Sequence, residues 1–259
     1  MSRVLGVIPA RLGSSRLPEK PLQPLLGIPL VLWVWRRART VECIDRLIVA
    51  TDSVEVVALC QDAGAEAMLT SPKHPTGSDR AWEVVRRLDS DYGVVVNIQG
   101  DEPLVEPGTI RAAVSMVEEG FEVATCATAV RDDEEFRDPG VVKIVKTRRG
   151  RALYFSRAPI PHSDGAPSAK EGRLRHVGVY AYRTETLGRW VGWPRSQLER
   201  QEGLEQLRAL ENGVRIGVAV VPDAARGVDT PQDLARTERH LRALAAEGHD
   251  YGLHVEISA

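Results

Sequence analysis

The loop after the first predicted strand combines three cations with a glycine-serine segment. Val4–Ile8 is a short apolar run, and the loop that follows contains Arg11, Arg16 and Lys20 around Gly13–Ser15. Ligands of open α/β sheets bind at the carboxyl ends of strands, which is where this loop would lie. Cationic side chains and loop amides together suit the negative charge of a triphosphate. We therefore predict a phosphate-binding loop, with a solvated basic loop as the alternative.

Two common phosphate-binding motifs are absent from the sequence. The chain contains neither Gly-x-Gly nor Gly-Lys-Ser/Thr. The first absence excludes the dinucleotide-binding fingerprint, and the second excludes the P-loop of NTPases. Phosphate binding by this loop would therefore depend on its own cations and amides.

Two later loops each offer one carboxylate beside the end of an element. Asn97–Pro103 follows the strongest strand prediction, and Gly100 lets backbone and nucleotide approach closely before Asp101. Asp229 precedes Thr230, which is the predicted N-cap of the last helix, so Asp229 is not needed as a cap. Mg²⁺ prefers hard oxygen ligands together with substrate phosphates. We predict Asp101 and Asp229 as metal ligands; turn chemistry and a helix-dipole carboxylate are the respective alternatives.

A third polar segment, Pro72–Arg80, joins a loop to the start of a helix. Such a segment can contact the base and ribose of a nucleotide. A helix start with one arginine is common for structural reasons alone, so this prediction depends on the two sites above.

The bulk composition is that of a globular α/β protein. The chain has 259 residues, enough for one large domain or a domain with a smaller lobe, and a net charge of −2 argues against nucleic-acid binding. The longest apolar run, Leu30–Trp35, is too short to cross a bilayer, and the N-terminus lacks signal-peptide features. We therefore expect a cytoplasmic protein without membrane insertion. Cys43, Cys60 and Cys126 are odd in number and widely spaced, which predicts buried thiols rather than a disulfide framework or a zinc site.

Strand and helix signals alternate through the first half of the chain. In order they are a strand at Val4–Ile8, a helix at Leu30–Ala38, strands at Leu47–Ala50 and Ala67–Leu69, a helix at Ala81–Leu88, a strand at Gly93–Ile98, a helix at 107–119 and a strand at 123–129. This alternation predicts a doubly wound, mainly parallel sheet. Asp52 is predicted to cap the helix after the second strand, with Glu55 at the capping-box position.

The second half is predicted to add strands and a smaller lobe to the same sheet. Its elements are strands at Val141–Val145 and Val177–Tyr182, a Pro/Gly/Ser-rich loop at 158–172, a helix at 199–212, a strand at 214–221 and a helix from Pro231 with Asp233 as capping-box partner. We predict one domain over 1–240, with a nucleotide-binding part at about 1–130 and a sugar-binding and dimerisation part at about 131–225. Residues 241–259 are predicted to be a tail, to which the sequence assigns no function.

These motifs resemble the 3-deoxy-manno-octulosonate cytidylyltransferases, also called CMP-Kdo synthetases, over roughly residues 3–240. The most specific blocks are Ile8–Arg11, Ser15–Pro18, Lys20–Leu22 and Asn97–Pro103; further matches are Ala152–Ala158, Arg175–His176 with Gly178 and Tyr180, Leu204–Arg208 and Val228–Pro231. The resemblance implies a Rossmann-like α/β nucleotidyltransferase fold. It also implies a role in lipopolysaccharide biosynthesis and a homodimer formed through the second half.

The resemblance further implies CTP as the donor, an acidic sugar as the acceptor and Mg²⁺ as the cofactor. The implied catalytic residues are Arg11, Lys20, Asp101 and Asp229, the last two as metal ligands. The implied nucleotide-binding residues are Pro9, Ala10, Arg11, Ser15, Arg16, Lys20, Ser78, Arg80, Gln99 and Gly100. The sugar would face Arg157, His176, Tyr180, Glu205 and Gln206, and we expect Glu202, Glu205 and Gln206 to share one helix face.

The sequence departs from the family pattern at two places. Glu19 stands where the family usually has Gly, and Ile160–Gly165 replaces the commoner Ile-Pro-aromatic-Asp-Arg-Asp pattern near the acceptor side. The second departure leaves other acceptors open: 8-amino-Kdo, a nonulosonate such as sialic acid, or a phosphonate.

Two classes of protein remain as rivals to a Kdo enzyme. Sialic-acid relatives typically continue with Gly-Ser-Lys and an Asn-bearing loop, whereas this chain has Arg16–Pro18 and Lys20–Leu22; the Gly-x-Gly-Thr-Arg loop of sugar-1-phosphate nucleotidyltransferases is missing. A catalytically silent nucleotide-binding regulator on the same fold is the second rival. Paired carboxylates beside Lys20 argue against it, because a mere binder does not need them.

Overall fold

The computed structural model describes residues 2–14, 16–89, 91–162 and 172–246. Strands and helices alternate in the first half: β1 (Val4–Pro9), β2 (Pro24–Leu25), β3 (Ile28–Pro29), α1 (Leu30–Ala38), β4 (Arg46–Thr51), α2 (Val54–Asp62), β5 (Ala67–Leu69), α3 (Gly77–Arg87), β6 (Val94–Asn97), α4 (Pro107–Glu118) and β7 (Val123–Ala129). The rest comprises α5 (Asp133–Arg137), β8 (Lys143–Lys146), β9 (Ala152–Ser156), β10 (Leu174–Arg183), α6 (Thr184–Gly192), α7 (Gln197–Glu202), α8 (Gln206–Glu211), β11 (Ile216–Val220) and α9 (Pro231–Ala246).

The chain folds into two compact units, each built from separated stretches of sequence. The unit that we call the Lys20 unit contains the described residues of Leu5–Ser90, Asn97–Pro107 and Ala225–Ala259. The Tyr180 unit contains those of Met1–Val4, Asp91–Val96 and Gly108–Ala224. The domain boundaries given above stay predictions, and α9 continues six residues past position 240 to Ala246.

Parallel strands and one buried helix form the frame of the Lys20 unit. β1 pairs with β4, and β4 with β5, all parallel. The predicted helix α1 is confirmed, and all its residues except Arg36 are buried. Its Trp33 packs in a core with Leu17, Leu104 and Val228, and the indole nitrogen donates to Leu25 O at 2.8 Å. This core lies beneath all three loops that carry the predicted chemistry.

The Tyr180 unit contains the mixed part of the architecture. β7 pairs in parallel with β11 and antiparallel with β10; β8 pairs antiparallel with β10, and β9 pairs antiparallel with β8. β10 is longer than predicted and carries an irregularity between Val177 and Tyr180. β9, α5 and α6 were not predicted. The expected α/β class with a mainly parallel central sheet is confirmed, and the antiparallel pairing of β8, β9 and β10 is a feature that the sequence did not indicate.

Two local predictions about helix ends are wrong. Ser53, not Asp52, caps α2 by accepting from Val56 N at 3.3 Å, so Glu55 is one position short of a capping box. Asp52 is engaged by a loop and an arginine described below. The predicted helix over 199–212 is two helices, because Gly203 at φ 64° ends α7 in the left-handed conformation. Glu202 and Gln206 therefore do not share one helix face.

The predicted capping box of the last helix is confirmed. Thr230 N donates to Asp233 Oδ2 at 3.0 Å, and Asp233 N donates to Thr230 Oγ1 at 3.2 Å. Burial opposes ionisation of Asp233, yet bonds from Thr230 and Asp229 N and the charge of Arg236 lower its pKa overall. The start of α9 is thereby fixed directly after Asp229.

The remaining sequence expectations concern thiols and membranes. All three cysteines are free thiols; Cys60 and Cys126 are buried, as predicted, whereas the prediction is wrong for Cys43, which is only partly buried. Burial raises the pKa of Cys60 to about 11, so this thiol is unreactive at neutral pH. Within the described ranges, every helix is too short or too polar to span a bilayer.

Candidate active site

A cavity of about 420 Å³ opens at the carboxyl end of β1, wholly within the Lys20 unit. The residues predicted for catalysis or nucleotide binding that line it are Pro9, Ala10, Arg11, Arg16, Lys20, Arg80, Gln99, Gly100, Asp101 and Asp229. Ser78 is buried in α3 and is absent from this lining. Ser15 lies outside the described residues. The fold thus gathers three separated loops into one polar cavity.

At its centre one ammonium group joins the two predicted metal carboxylates. Lys20 Nζ donates to Asp101 Oδ2 at 2.7 Å and to Asp229 Oδ1 at 2.8 Å. Burial of Lys20 pulls its pKa down, but Asp101 and then Asp229 outweigh this effect and raise the pKa overall. Arg16 adds an exposed contact of 3.1 Å to Asp229 Oδ1. Lys20 is therefore firmly cationic in this arrangement.

The carboxylates are held by their neighbours in the backbone. Val228 N donates to Asp101 O at 2.8 Å, which ties the two acidic loops together, and Val228 is itself fully buried. A Cβ on Gly100 would lie 2.5 Å from Pro9 O, so only glycine permits this close approach to β1. The positions of Asp101 and Asp229 are therefore set by buried anchors and a direct backbone bond.

The loop before Lys20 is anchored in the same way. Leu17, between Arg16 and Lys20, is buried in the core of the unit. Lys20 opens a short 3₁₀ turn whose preceding residue, Glu19, has φ 51°. This left-handed conformation favours glycine, which gives a physical reason for the family's usual Gly at that position. Glu19 is accommodated with its side chain exposed.

The donor set around Lys20 fits Mg²⁺. Two carboxylate oxygens lie within reach of a single cation, and both are the hard ligands that Mg²⁺ prefers. The described residues contain no group of three or more His, Cys, Asp or Glu side chains that could hold a metal alone. Further ligands would then come from phosphate oxygens and water, as is usual for Mg²⁺ at nucleotide sites.

Asp52 connects the basic loop to the buried arginine of the cavity. Its Oδ1 accepts from Leu12 N at 2.9 Å, and its Oδ2 accepts from Arg80 Nη2 at 3.3 Å. Arg80 is only 3% exposed, and Thr70 Oγ1 accepts from its other terminal nitrogen. Asp52 thus positions both the loop backbone and Arg80, which is why its side chain is unavailable to cap α2.

Replacing Asp52 with asparagine should raise KM for the nucleotide about tenfold and change kcat much less. Asparagine can still accept from Leu12 N but cannot form the ion pair with Arg80. Steady-state kinetics would measure both constants. S53A is the matched control, because it removes the adjacent helix cap at about 1 kcal/mol of stability without touching the loop. Equal KM values in D52N and the wild type would refute the positioning role.

Sequence reasoning missed His74 and Thr76, which also line the cavity. Both belong to the segment Pro72–Arg80 that we singled out, but nothing in the residue pattern distinguished them there. His74 Nε2 contacts Glu83 Oε2, and Thr76 caps α3. Arg11, by contrast, was predicted, and among the described residues it has no hydrogen bond or ion pair. Its exposed guanidinium is available to a ligand.

The residues predicted to face the sugar lie in the Tyr180 unit. His176 and Tyr180 have ring centroids 5.2 Å apart, and Tyr180 also packs against Trp190. Trp190 Nε1 donates to Glu205 Oε1 at 2.9 Å, and Gln206 follows as the buried first residue of α8. His176, Tyr180 and Glu205 therefore belong to one cluster around an aromatic core, and Gln206 adjoins Glu205 in the sequence.

Arg157 is held separately, by two backbone carbonyls. Its Nε donates to Glu202 O at 2.8 Å and its Nη1 to Pro139 O at 2.9 Å. Within the described part of the chain, Nη2 has no recorded partner. Glu202 also accepts from Arg157 N and from Ser156 Oγ, so the guanidinium is fixed at the end of β9. A fixed guanidinium whose Nη2 is unpaired among the described residues is suited to a carboxylate ligand.

Burial, assisted by the charge of Arg175, lowers the pKa of His176 to about 3. The imidazole therefore stays neutral in the folded chain at pH 5, whereas it is largely protonated after unfolding. The unfolded state then binds more protons, so stability should fall as the pH drops below about 6.5, by about 2 kcal/mol at pH 5. Urea unfolding at pH 7 and pH 5 would measure this loss. In H176Q it should largely disappear, and an equal loss in both proteins would contradict the assignment.

The chain is similar to known cytidylyltransferases in both sequence and structure. A family model described as cytidylyltransferase matches residues 5–216. The chain is 47% identical over 250 residues to a 3-deoxy-manno-octulosonate cytidylyltransferase of Syntrophotalea carbinolica, covering 93% of this chain and 99% of the relative. It is 46% identical to a protein of the same name from Nitrobacter hamburgensis, with 94% of each chain covered.

Two solved structures are also similar to this chain. CMP:2-keto-3-deoxy-manno-octonic acid synthetase complexed with CTP matches with a TM-score of 0.87 and 37% identity, covering 96% of this chain and 100% of that one. A 4-diphosphocytidyl-2C-methyl-D-erythritol synthase from Anaerococcus prevotii matches with a TM-score of 0.64 at 13% identity, over 93% of this chain and 99% of that one. The second similarity concerns the fold alone.

Proposed function

The chain belongs to the cytidylyltransferase family, and we propose that it transfers the cytidylyl group of CTP to 3-deoxy-D-manno-octulosonate (Kdo), giving CMP-Kdo and pyrophosphate. The observation that carries this proposal is the cavity of the Lys20 unit. There, cations suited to a triphosphate surround two carboxylates suited to a divalent ion. The relatives that share this chain over nearly its full length are named for the same reaction.

The reaction is an in-line substitution at phosphorus. A hydroxyl of Kdo attacks the α-phosphorus of CTP, and pyrophosphate leaves on the opposite side. Such a transfer depends on positioning and on stabilising charge rather than on a nucleophilic side chain. Arg11 and Lys20 would stabilise the charge that builds on the leaving pyrophosphate, and Arg16 would bind the triphosphate alongside them. Arg80, positioned by Asp52, would bind the nucleotide with Gln99 and Gly100.

Asp101 and Asp229 would hold Mg²⁺. When bound, the ion would neutralise phosphate charge and lower the pKa of the attacking hydroxyl. The protein's own contribution is to fix both carboxylates through the Val228–Asp101 backbone bond and the buried neighbours of that bond. Mg²⁺ dependence is tested by activity after chelation and on return of the metal.

The acceptor would be bound by Arg157, His176, Tyr180, Glu205 and Gln206. Arg157 would supply the positive charge for the Kdo carboxylate, because the low pKa of His176 keeps its imidazole neutral. Thr125 Oγ1 donates to Val179 O at 2.8 Å and so receives the Nε2–H of His176. The remaining imidazole nitrogen can then accept a hydrogen bond from a sugar hydroxyl.

Two wider properties belong to the same proposal. We propose that the reaction takes place in the cytoplasm, as expected from the sequence. We also propose a homodimer formed through the second half of the chain, a contact that sedimentation of the full chain would measure. A monomer at working concentration would remove the dimer and leave the chemistry unchanged.

The acceptor is tested by pyrophosphate release with CTP and Mg²⁺. Kdo, 8-amino-Kdo, sialic acid and a small phosphonate would be assayed in parallel. The proposal expects rapid release with Kdo. Release with another acceptor alone would keep the mechanism but change the substrate, and silence with all four despite CTP binding would favour a regulatory protein.

A further inference from the structure

The ammonium of Lys20 lies between Asp101 and Asp229, in the position that a divalent ion bound to both carboxylates would occupy. Its ammonium contacts one oxygen of Asp101 at 2.7 Å and one of Asp229 at 2.8 Å, and the side chain is only 16% exposed. The ammonium is therefore mostly shielded from water, whereas the Asp101 and Asp229 side chains are 28% and 38% exposed, and the ion pairs are screened less than pairs between fully exposed groups. Arg16 reaches only Asp229, with a side chain that is 66% exposed.

An ammonium and a divalent ion cannot share this position. Mg²⁺ binds oxygen at about 2.0–2.1 Å, so an ion lying between the same two oxygens would be in contact with the Lys20 nitrogen. Repulsion between a monovalent and a divalent cation at that distance is far larger than thermal energy. Lys20 must therefore leave these two oxygens before one ion can bridge them.

The cavity itself provides a new partner for Lys20 only when an anion is bound. Without one, the carboxylates are the acidic side chains that Lys20 contacts among the described residues. A triphosphate in the cavity would offer oxygens to the displaced ammonium. The exchange thus couples nucleotide binding to the release of the metal-binding carboxylates.

We propose that Lys20 is a placeholder cation: it holds Asp101 and Asp229 together in the free chain and blocks divalent-ion binding until a nucleotide draws it away. The two carboxylates would otherwise repel one another across the cavity, so the lysine also keeps their spacing suitable for the ion. The order of binding is then nucleotide before, or together with, the metal. This inference rests on the proposed metal assignment of Asp101 and Asp229.

The test measures Mn²⁺ binding to the full chain without nucleotide. The readout is the electron paramagnetic resonance signal of free Mn²⁺, which decreases as the ion binds. K20M and K20Q should each bind Mn²⁺ at least about tenfold more tightly than the wild type, because the competing charge is gone. R11M is the matched control, since it removes a cation that lines the same cavity but does not contact the carboxylates. It should bind Mn²⁺ within about threefold of the wild type.

Two results would separate failure of the placeholder from failure of the metal site. If K20M and K20Q bind Mn²⁺ no more tightly than the wild type, or if R11M gains as much as they do, the placeholder role is overturned. The double variant K20M/D101N locates the ion. If it binds Mn²⁺ as tightly as K20M, the metal assignment itself is wrong.

Discussion

Replacing Asp101 with asparagine should lower kcat at least about 100-fold, with a smaller change in KM for CTP. Asparagine keeps the shape of the side chain and can still accept from Lys20, but it removes the charge that would balance a metal ion at the reacting phosphate. D229N should behave alike, because both carboxylates meet at one cation position. Pyrophosphate release under saturating CTP and Kdo would measure the loss.

The matched control for D101N is an Asp-to-Asn substitution at a position outside the proposed active site. D62N alters an exposed carboxylate at the end of α2, far along the chain from every proposed ligand. It should retain wild-type kcat. Activity of D101N within a few-fold of the wild type would remove Asp101 from the reaction, whatever the behaviour of D229N.

Breaking the buried pair between Glu199 and Arg208 should give the largest loss of stability, about 3–5 kcal/mol for R208M. Arg208 donates from Nε to Glu199 Oε2 at 2.8 Å and from Nη2 to Oε1 at 2.7 Å, and both side chains are at most 5% exposed. Burial opposes ionisation of Glu199, yet Arg208 and its other partners lower its pKa overall. Removing the arginine would leave the buried carboxylate with only the exposed Arg195 as a counter-ion, at 3.2 Å. Urea unfolding would measure the free energy.

Two controls define the cause of that loss. The double variant E199L/R208L removes both charges and should recover much of the stability, because no unpaired charge remains. E238Q breaks the exposed pair with Arg242 on α9 and should cost at most about 0.5 kcal/mol. Equal losses in R208M and E238Q would contradict the account. The pair also joins α7 to α8, which carries Gln206, so R208M should in addition weaken acceptor binding.

Much of the phosphate site could be predicted because its signals are local. The basic loop follows an apolar strand, the helix after Pro29 is apolar nearly all round, and Thr230 with Asp233 forms a capping box. Each of these patterns depends on neighbours within a few residues. They therefore placed the loops at the correct ends of the correct elements.

The sequence could not predict contacts between side chains that lie far apart along the chain. Asp52 has the right position for a cap, but contacts with Leu12 and Arg80 outweigh that local preference. Likewise, the single ammonium of Lys20 between Asp101 and Asp229 depends on three loops meeting. At Gly203 a left-handed turn ends a helix that residue periodicity alone would continue.

The residues proposed to bind the acceptor are harder to predict from the sequence, because they too depend on contacts between distant parts of the chain. Glu205 and Tyr180 are joined through Trp190, and no spacing in the sequence indicates that three-residue contact. The resemblance named these residues, and their sugar-binding role stays a prediction. Residues 163–171, which include the second half of the departing segment Ile160–Gly165, lie outside the described ranges.

The most direct test of the central claim is to follow CTP by ³¹P NMR with the full chain, Mg²⁺ and Kdo. The account predicts loss of all three CTP resonances, with equal amounts of a CMP-Kdo phosphodiester and pyrophosphate appearing, and no turnover when Kdo is omitted. Conversion of CTP to CDP and phosphate, or unchanged CTP in the complete mixture, would contradict cytidylyl transfer to Kdo.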